Sequence, residues 1–62
     1  MSAKLKKQAL QILAEQPLTL KELSLKMDVT EKRLFKILRS LFQDGKLKAF
    51  KDEENLRRYK PL

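Results

Sequence analysis

The chain has 62 residues, and its fifteen Lys and Arg against eight Asp and Glu give a formal net charge of +7. A chain of this length buries only about 60% of its unfolded surface, so we expect one small domain, residues 1–62, without room for a deep catalytic pocket. The absence of Cys and His excludes disulfides, thiol nucleophiles, imidazole bases and the usual zinc sites. We therefore expect a non-enzyme that uses no cofactor and no metal.

The balance of apolar and polar residues predicts a folded domain. Hydrophobic residues make up 42% of the chain and there are only one Gly and two Pro, which is not the composition of a disordered basic tail. No apolar run reaches the roughly 18 residues of a membrane span, and the N-terminus lacks the hydrophobic region of a signal peptide. We expect either a complete small protein or an excised domain, cytoplasmic or, in a eukaryote, nuclear, with no membrane contact.

Apolar spacing predicts a first helix from an N-cap at Ser2 to about Glu15, where Pro17 forces the helix to end. Its apolar residues recur at helical spacing on one face: Leu5, Ala9, Ile12 and Leu13. The pattern is typical of a helix with one buried side.

A second helix is predicted to begin at a capping box. Thr19 and Glu22 have the S/T-x-x-E spacing in which each side chain satisfies a free amide at the helix start. The helix should end near Met27, because Asp28 tolerates a left-handed turn and Thr30 is suited to cap another helix. The sequence therefore predicts a helix-turn-helix.

The third helix is predicted to span about Glu31 to Asp44 and to end at Gly45, where a positive φ is needed. Its apolar side consists of Leu34, Ile37, Leu38 and Leu41. Its opposite side carries Lys32, Lys36, Arg39 and Gln43. Four apolar residues lie slightly off the main stripes, and we expect them at the edge of the core: Leu10, Leu25, Phe35 and Phe42. If Phe35 and Phe42 are exposed together on one face of the helix, a protein interface becomes the better explanation for them.

After Gly45 the apolar period changes to two, which predicts a β-hairpin. Its strands are Lys46–Lys51 and Leu56–Lys60, joined by the polar turn Asp52–Asn55. Because a lone hairpin is marginally stable, we expect four of its residues to pack on the helices: Leu47, Ala49, Leu56 and Tyr59. The predicted fold class is α+β, a three-helix helix-turn-helix bundle followed by a two-stranded hairpin.

Residues in the stretch from Leu18 to Tyr59 carry a resemblance to a known family. The matching positions are Leu18-Thr19, Glu22-Leu23-Ser24, Met27-Asp28-Val29-Thr30, Leu34, Leu38, Leu41 and Gly45-Lys46-Leu47. In order and spacing they resemble the winged helix-turn-helix superfamily, whose wing is the hairpin. Two features depart from that pattern: Asp28 stands where Gly is common, and the acidic tip Asp52-Glu53-Glu54 is one that we expect to be held away from nucleic acid.

Part of the chain also looks like the Z-DNA-binding Zα domains. The similar segments are Leu23–Met27, Leu38–Leu41 and Gly45–Leu47. That family reads its ligand with an Asn, a Tyr and a Pro-Pro-x-Trp wing, where this chain has Phe35, Arg39 and the Arg57–Tyr59 region. The likeness in fold therefore does not bring the left-handed-helix specificity with it.

The winged-helix resemblance implies that the third helix docks on double-stranded DNA, and a dense row of Lys and Arg provides affinity for phosphates. The candidate contact residues on and before this helix are Thr30, Lys32, Arg33, Lys36, Arg39 and Gln43. Those on the hairpin are Lys46, Lys48, Arg57 and Arg58. Arg39 is the best candidate for a bidentate contact with guanine, and Gln43 for adenine.

Other interpretations of the same residues stay open. The basic side of the third helix could be an ordinary solvated face, although no carboxylate lies along its middle to pair with it. The domain could be a protein-protein adaptor that uses its apolar fringe, or it could bind structured RNA. We expect a monomer or a weak homodimer, since only the first helix is left for pairing.

Overall fold

In the computed structural model, which describes residues 3–62, three helices precede a two-stranded antiparallel sheet. The elements are α1 (Ala3–Glu15), α2 (Leu20–Met27), α3 (Glu31–Gln43), β1 (Leu47–Lys51) and β2 (Arg57–Pro61). This order confirms the predicted α+β fold of three helices and a hairpin. The predicted N-cap at Ser2 lies outside the described residues.

Local capping fixes the start of α2 and both ends of the α2–α3 turn. The Thr19 hydroxyl accepts a hydrogen bond from the Glu22 amide at 3.2 Å, and the Thr19 amide donates to Glu22 Oε1 at 3.0 Å. Asp28 adopts the left-handed conformation with φ 55°, and the Thr30 hydroxyl accepts from the Arg33 amide at 3.2 Å. Three residues, 28–30, therefore suffice to reverse the chain into α3, as the sequence predicted.

The core lies where the three helices meet the sheet. Its buried side chains are Ala9 and Leu13 from α1, Leu18 from the following segment, Leu23 and Met27 from α2, Leu34, Ile37, Leu38 and Leu41 from α3, and Leu47 and Tyr59 from the sheet. Every predicted inward residue of α3 is in this set. Leu5 and Ile12 of α1 are only partly buried and pack at its margin.

The hairpin begins and ends slightly later than predicted. Asp52 organises its turn: Oδ1 accepts hydrogen bonds from the amides of Glu54 and Leu56, both at 2.9 Å. Leu56 therefore belongs to the turn, and its side chain is 44% exposed, so the expectation that it packs on the helices was wrong. Leu47 and Tyr59 are buried and Ala49 packs against the core, as predicted.

A short bridge on the second edge of β2 is a feature that the sequence did not indicate. The Tyr59 amide donates to the Leu18 carbonyl at 2.9 Å, and the two residues pair in antiparallel fashion. The segment that links α1 to α2 thus joins the sheet beside β2. This pairing ties the hairpin to the helices through the backbone as well as through side-chain burial.

Candidate nucleic-acid interface

The outward side of α3 presents a row of exposed polar residues. We call it the α3 outer face: Lys32, Lys36, Arg39 and Gln43, all exposed. These positions follow each other by four, three and four residues, which keeps them within one stripe of a helix that turns roughly 100° per residue. The buried stripe of Leu34, Ile37, Leu38 and Leu41 lies on the opposite side. The burial of that stripe aims the outer face at solvent.

None of the ion pairs among residues 3–62 neutralises a cation of this face. In residues 3–62 the ion pairs are Lys6 with Asp44, and Arg58 with both Glu22 and Asp52. None of them involves a cation of α3. Asp44, the carboxylate at the end of α3, forms an ion pair with Lys6 at 3.4 Å. The positive charges of Lys36 and Arg39, in the middle of α3, are therefore not neutralised by Asp44.

Thr30 and Arg33 stand beside the outer face rather than on it. Thr30 is exposed, but its hydroxyl is used as the N-cap of α3. Arg33 is exposed too, and the helical period turns it roughly 90° away from the centre of the outer face, on the side opposite Phe35. Both residues are near the first turn of α3, where amides that point along the axis favour an anion.

The hairpin divides its predicted contact residues between two sides. Strand alternation places Lys48 and its partner Lys60 on one side of the sheet, and Arg57 with Tyr59 on the other. Arg57 therefore lies on the side of the sheet next to α3, where it lines one groove together with Arg39. Its guanidinium lies 5.7 Å from the centre of the Tyr59 ring. Lys48 points the other way, and Lys46 lies near Lys6 at the end of α3. The structure brings Arg57 to the outer face but not Lys46 or Lys48.

The Arg58 side chain forms ion pairs and hydrogen bonds with other parts of the domain. Its Nε donates to Asp52 Oδ2 at 2.6 Å, and its Nη1 donates to Glu22 Oε1 at 2.9 Å and to the Pro17 carbonyl at 3.3 Å. It thereby links the hairpin turn, the start of α2 and the segment before it. A guanidinium with three such partners is a structural clamp, engaged within the domain and not presented to a ligand.

The clamp shifts the pKa of its members. The Thr19 amide and then Arg58 hold the pKa of Glu22 below its ordinary value of 4.5. The Leu56 amide and then Arg58 hold the pKa of Asp52 below its ordinary value of 3.8. Hydrogen bonding to Asp52 raises the pKa of Arg58. The charged forms are therefore those that the fold stabilises.

These shifts predict a loss of stability in acid. A carboxylate whose pKa is lower in the folded state stabilises the fold above its unfolded pKa, and this contribution is lost as the pH falls through the folded value. We expect the thermal midpoint to begin falling below about pH 4.5 and to fall further below about pH 3.8. The double variant Glu22→Gln, Asp52→Asn should melt lower at neutral pH and show a shallower acid dependence.

Circular dichroism melts between about pH 7 and pH 2 measure this effect. Glu53→Gln is the matched control, because Glu53 is exposed in the same turn and is not among the carboxylates that hold Arg58. An acid dependence equally steep in the double variant and in the native chain would show that the clamp does not contribute.

Between α3 and the hairpin lies an open groove of about 260 Å³. It is lined by Phe35, Leu38, Arg39, Phe42, Arg57 and Tyr59. Phe42 packs edge-on against Tyr59, with ring centres 6.0 Å apart, yet it is still 36% exposed, and Phe35 is 54% exposed. Phe35 and Phe42 are thus exposed together, which is the condition under which the sequence favours a protein interface. The expectation of a core-edge position was wrong for Phe35 and for Leu25, which is 73% exposed on α2.

Neither a membrane span nor a metal site is seen in the described part of the chain. No helix within residues 3–62 combines the length and the apolar character that crossing a bilayer requires. In the same residues no three acidic side chains are grouped so that they could hold a metal ion.

Comparison with known proteins adds no relative. No protein-family model, curated protein or solved structure matches the chain. Its function has to be argued from its own residues.

Proposed function

We propose that this chain is a winged helix-turn-helix domain that binds double-stranded DNA by placing the outer face of α3 in the major groove. The observation that carries the proposal is the row Lys32, Lys36 and Arg39, exposed along one side of α3 with no ion-pair partner among residues 3–62. Neutralising phosphates with such a row releases counterions and gives affinity for any duplex.

The dimensions of α3 suit this role. Its 13 residues extend for about 20 Å, and the major groove admits one α-helix. In that position Arg39 is the candidate for guanine and Gln43 for adenine, while Lys32, Lys36 and Arg33 are candidates for phosphates. Such a domain would serve as a small transcriptional regulator or as the DNA-contacting module of a larger assembly.

The hairpin contributes Arg57 to the same side, whereas its acidic turn is unsuited to a phosphate contact. Asp52 is occupied by the turn amides and by Arg58. Glu53 and Glu54 remain exposed and would repel a phosphate. We therefore assign the contact to Arg57, the first residue of β2, on the side of the sheet that carries Tyr59, and not to the carboxylates of the turn.

One observation favours a second function. Phe35 and Phe42, exposed at 54% and 36%, are aromatic side chains of the kind that is enriched in protein interfaces, and Leu25 is a further apolar side chain exposed at 73%. A protein-protein adaptor would use this fringe, and the charge would then serve solubility. Structured RNA is the third candidate, but a helix cannot enter the deep and narrow major groove of an RNA duplex.

A salt titration tests the proposal. If about four to six phosphates are neutralised, the affinity for a random DNA duplex falls with a log-log slope of roughly 0.9 per phosphate, which amounts to about two to three orders of magnitude between 50 and 200 mM salt. Fluorescence anisotropy with DNA duplex, RNA duplex and single strand measures it, and the DNA duplex should bind best.

Two results would count against the proposal. Absence of duplex binding at low salt would favour the adaptor. Tighter binding of the RNA duplex than of the DNA duplex at every salt concentration would exclude a helix in the major groove as the main contact.

A further inference from the structure

We infer that the groove between α3 and the hairpin receives one unpaired nucleobase, so that the preferred ligand is a DNA duplex that ends in a single-stranded overhang. This inference rests on the proposed function, because the overhang would continue from a duplex docked on the outer face of α3. It names which form of DNA the site is built for.

The first support is the chemistry of the lining. Three aromatic rings, Phe35, Phe42 and Tyr59, face one open space. Two of them are already packed together, Phe42 edge-on to Tyr59, which leaves the more exposed Phe35 as the ring with a free surface. Single-stranded nucleic acids are bound by stacking bases on such aromatic side chains, which tolerate any base because every base has a flat face.

The second support is charge. Arg39 and Arg57 are the ionic members of the lining, and no carboxylate lines the groove. Arg39 is also part of the outer face of α3, so the cationic surface continues from the proposed duplex site to the groove without interruption. A strand that leaves the duplex would keep its phosphates beside guanidinium groups while its base turns towards the rings.

The third support is size. The groove holds about 260 Å³, which is slightly less than the roughly 300–1,000 Å³ of pockets that enclose drug-sized ligands. A single planar group of the size of a nucleobase suits this space. An apolar helix of a partner protein would need a longer groove with anchors at successive turns, whereas this one is lined by six residues, two of them arginines.

The test compares overhangs that differ only in their bases. One duplex carries a short adenine overhang, and a second carries an overhang of abasic nucleotides with the same phosphates; a blunt duplex completes the set, and both strand polarities are tried. We expect the adenine overhang to bind at least about fivefold tighter than the abasic overhang, in line with the stacking of one base on an aromatic ring.

Variants of Phe35 test whether the preference for the adenine overhang arises in the groove. Phe35→Ala should bring the ratio of the two overhangs close to one and leave the affinity for the blunt duplex within about twofold, whereas Phe35→Trp should keep the preference. Leu25→Ala removes a comparably exposed apolar side chain of α2 and should change nothing. Circular dichroism shows that each variant is folded.

The failure of this inference is distinct from that of the proposed function. Equal affinity of the native chain for adenine and abasic overhangs, with duplex binding intact, overturns the inference alone. Equal losses on all three ligands in Phe35→Ala would place Phe35 against the duplex and overturn it as well. Absence of binding to all three ligands overturns both.

Discussion

Reversing two charges on the α3 outer face is expected to abolish duplex binding. In the double variant Lys36→Glu, Arg39→Glu, two exposed cations without a carboxylate partner in residues 3–62 become anions facing the phosphates. One good bidentate base contact alone contributes about 1–3 kcal/mol, and repulsion adds to its loss. We expect the affinity at low salt to fall by more than about a hundredfold, measured by anisotropy.

A matched control separates position from net charge. Lys4→Glu, Lys7→Glu changes two exposed residues of α1. Each reversal removes two units of charge, so both double variants go from a formal charge of +7 to +3. If net charge alone attracted the duplex, the two variants would lose affinity equally, and the assignment to α3 would fall.

Neither substitution pair should unfold the domain, because all four side chains point away from the core. Circular dichroism and the thermal midpoint verify this. A loss of binding in the α3 variant with an unchanged melt is therefore a loss of contact, while binding that survives in the α3 variant and disappears in the α1 variant would move the site to α1.

The helices and their caps were accessible from sequence because their determinants are local. The Thr19–Glu22 capping box, the left-handed Asp28 and the Thr30 cap each depend on residues within about one turn. The inward and outward sides of α3 follow from its period alone. These parts of the fold and the outer face of the candidate site were therefore predicted, and the described structure has them in the predicted places.

The remainder depends on contacts between segments far apart in the chain. The sequence around Leu18 does not indicate that its carbonyl accepts a hydrogen bond from the Tyr59 amide. The ion pair of Arg58 with Glu22 is equally hidden in the sequence, because the two residues are 36 positions apart. The one local signal was Asp52, which precedes Arg58 by six residues across a tight turn. Opposite charges at that separation can meet in a hairpin.

For a similar reason the sequence left two environments open for Phe35, the core edge and an exposed interface. Its position on the α3 wheel lies between the buried and the outer stripe, so its environment is decided by what stands beside α3. There Tyr59 of the hairpin packs against the edge of Phe42, while Phe42 and Phe35 both line the open groove. For a residue between the buried and the exposed stripe of a helix, sequence periodicity alone therefore does not decide whether the side chain is buried in the core or exposed at a binding surface.

The substitution expected to lower the free energy of unfolding most is Leu34→Ala, which leaves a cavity in the core on the buried side of α3. Leu34 is completely buried, and Leu→Ala at such positions costs about 2–5 kcal/mol. A domain of 62 residues has a total stability of only about 3–9 kcal/mol at typical values per residue. We expect Leu34→Ala to lose most of its stability, seen in urea unfolding as a large fall in the midpoint concentration.

Leu25→Ala is the control, since it removes the same atoms from a side chain that is 73% exposed and should shift stability by no more than about 0.5 kcal/mol. Similar midpoints for both variants would mean that α3 is not packed as described. Because a ligand that binds only the folded state stabilises it, duplex at about a hundredfold excess over its dissociation constant should add about 2.7 kcal/mol to the stability of Leu34→Ala. Loss of this stabilisation when Lys36→Glu and Arg39→Glu are added would show that the stabilising duplex is bound at the outer face of α3, whereas stabilisation that persists in the triple variant would place the duplex elsewhere.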